Sequence, residues 1–201
     1  VGPASFSITA HHGTPHKVSK FSTEKIGAGI GAQLHGHGLY MASDVGVAST
    51  YARQRSKHKG FSGKGNLYTV NLKIDQDELL DWDKPLIEQS ATIRKILSER
   101  MDGTDVFIGP HHKAISNPTG KDIYENVIKG EDAKKTSETL HSMGIKGVRY
   151  FDSSSQWNKG SSNYVVFNDA DIKITEVNGE SSFSMAGVAP SIASFVEPGF
   201  Y

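Results

Sequence analysis

The chain has 201 residues, enough to bury a full core, and its 22 Lys and Arg offset 22 Asp and Glu, so no global field draws it to nucleic acid or to a membrane surface. It has no cysteine, which excludes disulfides, thiolate nucleophiles and thiolate metal sites. No apolar run approaches the roughly 20 residues of a membrane span, and the N-terminus lacks the basic-then-apolar layout of a signal peptide.

Residues 6–10 alternate Phe6 and Ile8 with Ser7 and Thr9, which predicts a short strand delivering His11 and His12 at its end. The stretch 26–38 carries Gly27, Gly29, Gly31, Gly36 and Gly38, too many for a helix or strand interior, and reads as a flexible loop. Residues 39–42 form a short apolar strand, and Ser43-Asp44 then offers an N-cap to a helix through Val47, Ala48, Tyr51 and Ala52. Tyr68, Val70, Leu72 and Ile74 predict a strand over 66–74, entered from the loop 61–65, with a second short strand near 78–80. Pro85 fits the first turn of a helix whose apolar positions Leu86, Ile93, Ile96, Leu97 and Met101 recur at helical spacing. Residues 102–122 mix Gly, Pro, Asn and a His pair and read as a loop-rich insert. Helices follow over 123–128 and 132–143, with Gly144 as the stop of the second.

Three further strands are predicted over 148–151, 164–167 and 172–177, the first two joined by the polar loop 152–162. From Asn178 the chain turns to Ser, Gly, Ala and Pro without a period and reads as a tail or linker. The expectation is one domain over 1–177, with a helical and loop insert at 102–143 and a tail at 178–201. Strands and helices interleave without the regular alternation of a doubly wound sheet, so the class is α+β, a split mixed or antiparallel sheet with flanking helices.

Two clusters carry chemistry. In His11-His12-Gly13-Thr14 a glycine at a strand end lets a flat ligand approach exposed backbone groups, although the same residues alone equally make a strand-to-turn junction. In Gly38-Leu39-Tyr40-Met41-Ala42, Tyr40 precedes Tyr51 by eleven positions, so one ring on the strand and one on the following helix could sandwich a planar group. Taken singly, Tyr51 is as readily a core aromatic. His35 with His37, and His111 with His112, lack the spacing of a common metal motif and no third ligand is marked, so no metal site is expected.

Together the clusters resemble the ADP-ribosyltransferase fold of the diphtheria-toxin and poly-ADP-ribose-polymerase branch, defined by a His, a Tyr and usually a Glu on three strands. His12-Gly13 matches its first motif, Gly38 to Ala42 its second, and Tyr51 its second tyrosine. The chain is closest to ADP-ribosyltransferase-like domains of phage and mobile-element polyvalent proteins and polymorphic toxins. His12 to His16, Trp82-Asp83-Lys84-Pro85-Leu86, Gly144-Ile145-Lys146-Gly147 with Arg149-Tyr150, and Asn163-Tyr164-Val165-Val166-Phe167 carry that likeness. The resemblance implies NAD as co-substrate: His12 on the adenine-side ribose with Thr14 nearby, the Gly13 backbone on the nicotinamide amide, and Tyr40 with Tyr51 stacked on the nicotinamide. Gly38 and Ala42 are expected to line the site, and His37, just before Gly38, is either a contact to the phosphates from the loop or a solvated loop residue.

At the third family position stands Asn163, where the polymerase-like enzymes carry Glu. A neutral amide keeps hydrogen bonds but loses the field of a carboxylate. Asp152, Asp169, Asp171 and Glu176 are the acids near that sheet edge, each more simply a solvated carboxylate, with Gln33 and Ser43 as more remote substitutes. The implied catalytic set is His12, Tyr40 and Asn163. The implied activity is NAD-dependent mono-ADP-ribosyl transfer by an effector or toxin onto a host macromolecule, a host protein first, with nucleic acid open. Alternatives are an NAD glycohydrolase, an inactive module binding NAD or ADP-ribose, and a virion structural domain. The protein is expected to be a monomer with no membrane partner, injected or secreted into a target cell's cytoplasm or carried in a virion.

Overall fold

The computed structural model describes residues 7–26, 33–55, 65–100, 115–126, 132–151 and 161–181. Phe6, Gly27, Gly29, Gly31, the approach 61–64, Met101, His111, His112, Ile128, Asp152 and the chain beyond Ser181 lie outside the described residues. Eight strands form one sheet: β1 (Ile8–Thr14), β2 (Leu39–Ala42), β3 (Asn66–Leu72), β4 (Leu79–Asp81), β5 (Gly147–Phe151), β6 (Ser162–Val166), β7 (Ile172–Val177) and β8 (Glu180–Ser181). Four α-helices flank them: α1 (Val45–Arg55), α2 (Ala91–Arg100), α3 (Gly120–Asn126) and α4 (Ala133–Met143). The order is β4-β5-β6-β2-β1-β3-β7-β8, antiparallel everywhere except between β4 and β5. This is the mixed, mostly antiparallel α+β sheet that the sequence implies. No helix of the described residues is long and apolar enough to cross a membrane.

The sheet is split at its centre. β1 runs beside β3 along its whole length, from Ile8 opposite Leu72 to Thr14 opposite Asn66, and β2 runs beside β6 from Leu39 to Ala42. β1 and β2 meet only where His11 faces Ala42. Two apolar clusters form on the two faces because β6 is buried on both sides. Tyr164 and Val166 join Met41, Ile8, Ala10 and Val70, whereas Val165 joins Val148, Leu80 and the helix residues Ile93, Leu97, Ile123 and Leu140.

Helix α1 lies on β1 and β3 through small residues. Its cap is the one expected, with Asp44 Oδ1 accepting the Val47 amide at 3.0 Å. Ala48 and Ala52 are buried against the strands, and a Cβ on Gly13 would stand 1.9 Å from Ala48 O and 2.6 Å from Ala52 N. Gly13 is therefore where helix and strand backbones touch. Asp132 caps α4 by accepting the Lys135 amide, and Gly144 ends it at φ 104°.

Several elements depart from the local reading. β1 does not stop at Ala10: the ladder with β3 carries it through both histidines to Thr14, overriding the turn signal of Gly13-Thr14-Pro15. Pro85 starts no α-helix; it precedes a 3-10 turn at Leu86–Glu88 and bridges to Thr119, while Ser90 Oγ accepts the Ile93 amide to cap α2. The cause is Gln89, a buried amide that accepts from Asp81 N and donates to Asp81 O and Lys84 O, and so holds residues 81–85 in a loop. Gly120 opens α3 inside the segment read as loop, capped where Thr119 Oγ1 accepts the Asp122 amide and Asp122 Oδ2 accepts the Thr119 amide. Asn178 and Gly179, at φ 54° and 84°, turn the chain back into β8, so pairing continues past residue 177.

A methyl at position 13 requires α1 to lift off the strand. Gly13→Ala is expected to cost about 3 kcal/mol and to lower the melting temperature by about 6–12 °C. A thermal scan matching the parent protein would contradict this packing.

Candidate active site at the split of the sheet

The seam between β1 and β2 brings His12 and Tyr40 together, with Asn163 on β6, the next strand beyond β2. Past His11 the backbone ladder lapses, and a side chain takes its place: His12 Nδ1 lies 2.7 Å from Tyr40 O. A carbonyl only accepts, so Nδ1 carries the hydrogen in this contact and the neutral ring holds its lone pair on Nε2. The ring is set edge-on against Phe21, centroids 5.0 Å apart, and Phe21 is braced in the same way by Tyr68. Burial pushes the His12 pKa below its ordinary 6.5, and the bond to Tyr40 O only partly opposes this. At neutral pH His12 is an uncharged acceptor, and Nε2 makes no hydrogen bond to a described residue.

Tyr40 projects to the opposite face, against the cluster that includes Val148 and Val165. Its hydroxyl donates to Gly36 O at 2.9 Å and accepts the His35 amide at 3.0 Å. Burial is the main reason its phenol is pushed up to about 12, so it stays protonated. Gly36 sits at φ 101°, packed under the Tyr124 ring, and this described end of the glycine-rich loop is docked rather than free.

On Tyr40's face, Ala42 stands opposite Asn163, and Asn163 stands opposite Tyr150. Asn163 is 4% exposed, yet its carboxamide makes no hydrogen bond to a described residue. The amide tip of this otherwise buried residue reaches the surface and keeps hydrogen-bonding capacity for a ligand. Tyr150 carries His35 stacked flat upon it, with centroids 3.8 Å apart and planes 11° from parallel, and Trp82 meets His35 edge-on at 5.3 Å. Tyr40 meets Tyr150 at 6.2 Å. This aromatic wall beside Asn163 was not legible as a unit, because strand register and not spacing assembles it.

The other expected residues are placed as follows. Thr14 Oγ1 accepts the His16 amide at 3.3 Å at the end of β1. Gly38 abuts Val165 and Val166 of β6. Tyr51 is 46% exposed on α1 and makes no ring contact with Tyr40. His37 faces away from His35: its amide donates to Tyr124 Oη, its carbonyl accepts from Ser137 Oγ, and Nδ1 pairs with Gln33. Burial, then Lys134, lowers its pKa.

The candidate substitute acids stand elsewhere. Asp169 accepts the Thr23 amide, Asp171 pairs with His141 at 3.2 Å, and Glu176 lies opposite Thr69 on the far side of β1. Ser43 is engaged through its amide with Ser162 O. Among the described residues no group of three His, Asp or Glu is placed to hold a metal. An open groove of about 620 Å3 lined by Ile8, Asp75, Asp77 and Tyr164 lies on the other face of β6 from Asn163.

The mixed, mostly antiparallel α+β sheet with flanking helices is consistent with an ADP-ribosyltransferase fold. A family model described as ADP-ribosyltransferase in polyvalent proteins matches residues 7–181, and the chain belongs to that family. No curated protein and no solved structure matches.

Because the folded state holds His12 neutral below the pH at which the free side chain protonates, the unfolded chain binds more protons in that window. Stability is fully present above pH 6.5 and is lost as pH falls through that value toward the lower folded pKa. His12→Asn is expected to flatten this part of the denaturant-midpoint profile between about pH 7.5 and 5.5. An unchanged slope in that variant would assign the pH dependence to another group.

Proposed function

We propose that the protein is an NAD-dependent mono-ADP-ribosyltransferase that modifies a host macromolecule after delivery into a target cell, with a host protein as the acceptor. One observation carries this reading: a neutral His12 on β1 has Nε2 uncommitted to any described residue, and the amide of Asn163, two strands away on β6, is likewise uncommitted. The residues fit NAD. Ribose hydroxyls are donors that suit Nε2 of His12, and Asn163 can both donate to and accept from the nicotinamide-side ribose. The exposed ring of Tyr51, on α1 next to the buried Ala52, gives a planar group an aromatic face.

When bound, NAD supplies an activated ribose whose bond to nicotinamide breaks through a state rich in positive charge on the sugar. The protein's own residues orient and desolvate that sugar. His12 fixes the ribose through a hydrogen bond, Tyr40 keeps the loop at residues 35–36 against the seam, and Asn163 holds hydroxyls without adding a negative field. Without a carboxylate the site favours a slow, single transfer. The family match supports the transfer chemistry and its setting in polyvalent proteins.

A second reading is favoured by the same Asn163: a module that binds NAD or ADP-ribose without turnover. Incubation with labelled NAD and a host-cell lysate separates the two. Label on an acceptor or release of nicotinamide supports the enzyme, and the absence of both, with tight binding in calorimetry, supports the module. Asn163→Glu is expected to raise nicotinamide release by roughly tenfold or more, since one oriented charge or donor at such a site is worth about that or greater. A slower variant that still binds NAD would show that the amide is the optimised group.

A further inference from the structure

β1 presents two successive histidines to opposite faces, and the seam bond accounts for only one of them. The other is carried by register into a straight row across five strands. Thr69 of β3 stands opposite His11, His11 opposite Ala42, Ala42 opposite Asn163 and Asn163 opposite Tyr150. Directly opposed residues share a face, so all five side chains rise on the side where Tyr40 and α1 lie. Strands are spaced about 4.8 Å apart, which puts His11 and Asn163 about 10 Å from each other with only the methyl of Ala42 between them. The row thus has a notch at its middle, at the point where β1 and β2 begin to part.

The groups around the notch divide the work unevenly. Asn163 does not ionise, the phenol of Tyr40 keeps its proton, and His12 is turned to the other face with Nδ1 committed to Tyr40 O. His11 is partly buried, and its one described hydrogen bond is a long one of 3.4 Å between Nδ1 and Thr69 Oγ1. In the tautomer that donates Nδ1–H to Thr69 Oγ1, Nε2 at the far end of the ring carries the lone pair. In that tautomer a proton acceptor shares the face of the Asn163 amide, as a general base must share the side from which the acceptor's hydroxyl comes.

We infer that His11 is the general base of ADP-ribosyl transfer, taking the proton of the acceptor's hydroxyl, or of water, across the Ala42 notch from Asn163. This rests on the transferase reading above. The acceptor O–H gives its proton to His11 Nε2 while its oxygen bonds to the anomeric carbon of the nicotinamide-side ribose. The bond from that carbon to the pyridinium nitrogen breaks with its electron pair going to the nitrogen, which becomes neutral, and the imidazolium returns its proton to solvent. No oxidant, reductant or metal enters the balance.

The experiment measures nicotinamide release from NAD in water by the full chain, beside calorimetric NAD affinity, for the parent protein, His11→Gln and His11→Ala. Gln retains a hydrogen-bonding partner for Thr69 and removes the base. The expected result is a fall in kcat of about a hundredfold in both variants, NAD affinity within about threefold of the parent, and recovery of at least about tenfold by added imidazole in His11→Ala alone. Turnover of His11→Gln within about threefold of the parent, loss of NAD affinity in step with turnover, or absence of imidazole rescue would each overturn the assignment. If the parent protein binds NAD and releases no nicotinamide, the transferase reading itself fails and the role of His11 falls with it, an outcome separate from an active parent with indifferent variants.

Discussion

The hydrogen bond from His12 to the carbonyl of Tyr40 is the contact on which the rest of the site depends. Two half-sheets that share one register position have to satisfy the backbone groups exposed where they diverge, because an unpaired buried carbonyl is costly. Here an imidazole reaches across and does so at 2.7 Å. The same contact sets three properties at once. It keeps the seam joined beyond the ladder, it places the ring hydrogen on Nδ1, and it leaves Nε2 as an acceptor. Burial against Phe21 then keeps the ring uncharged, so the seam offers a lone pair rather than a cation.

A site of this kind works through orientation more than through field strength. Three described groups at or near the seam are neutral near pH 7: a histidine kept from protonating, a phenol kept from ionising, and the amide of Asn163. The strong ion pair nearby is Asp81 with Arg149, at 2.7 Å, and it joins β4 to β5 on the opposite face from Tyr150. Charge is thus spent on architecture, and the seam is left with hydrogen-bonding shape. That division suits recognition of a dinucleotide and slows any step that builds cationic charge on a sugar.

What was legible in the sequence is what is decided locally. Asp44 announces α1 because an acceptor side chain before an apolar helical pattern has few other uses, and Gly144 ends α4 because the position needs a positive φ. His12, Tyr40 and Asn163 were each read at or beside a strand, and β1, β2 and β6 carry them. The features that escaped are set by pairing. β1 seemed to stop at Ala10 until its ladder with β3 carried it to Thr14, and the contact of Gly13 with Ala48 and Ala52 of α1 had no local signal. His35 was visible only as a neighbour of His37, yet the fold stacks it on Tyr150, more than a hundred residues away in sequence. Gln89, whose single amide reshapes the segment after β4, has no local signature at all.

Tyr40 holds a double position. Its backbone carbonyl belongs to the seam, where it receives His12, and its hydroxyl belongs to the loop, where it is clasped between the amide of His35 and the carbonyl of Gly36. The two ends of one residue therefore tie the ordering of the loop to the alignment of the imidazole, with no side chain relaying between them. The loop at residues 35–36 and His12 on β1 are thus joined through the carbonyl and the hydroxyl of a single residue.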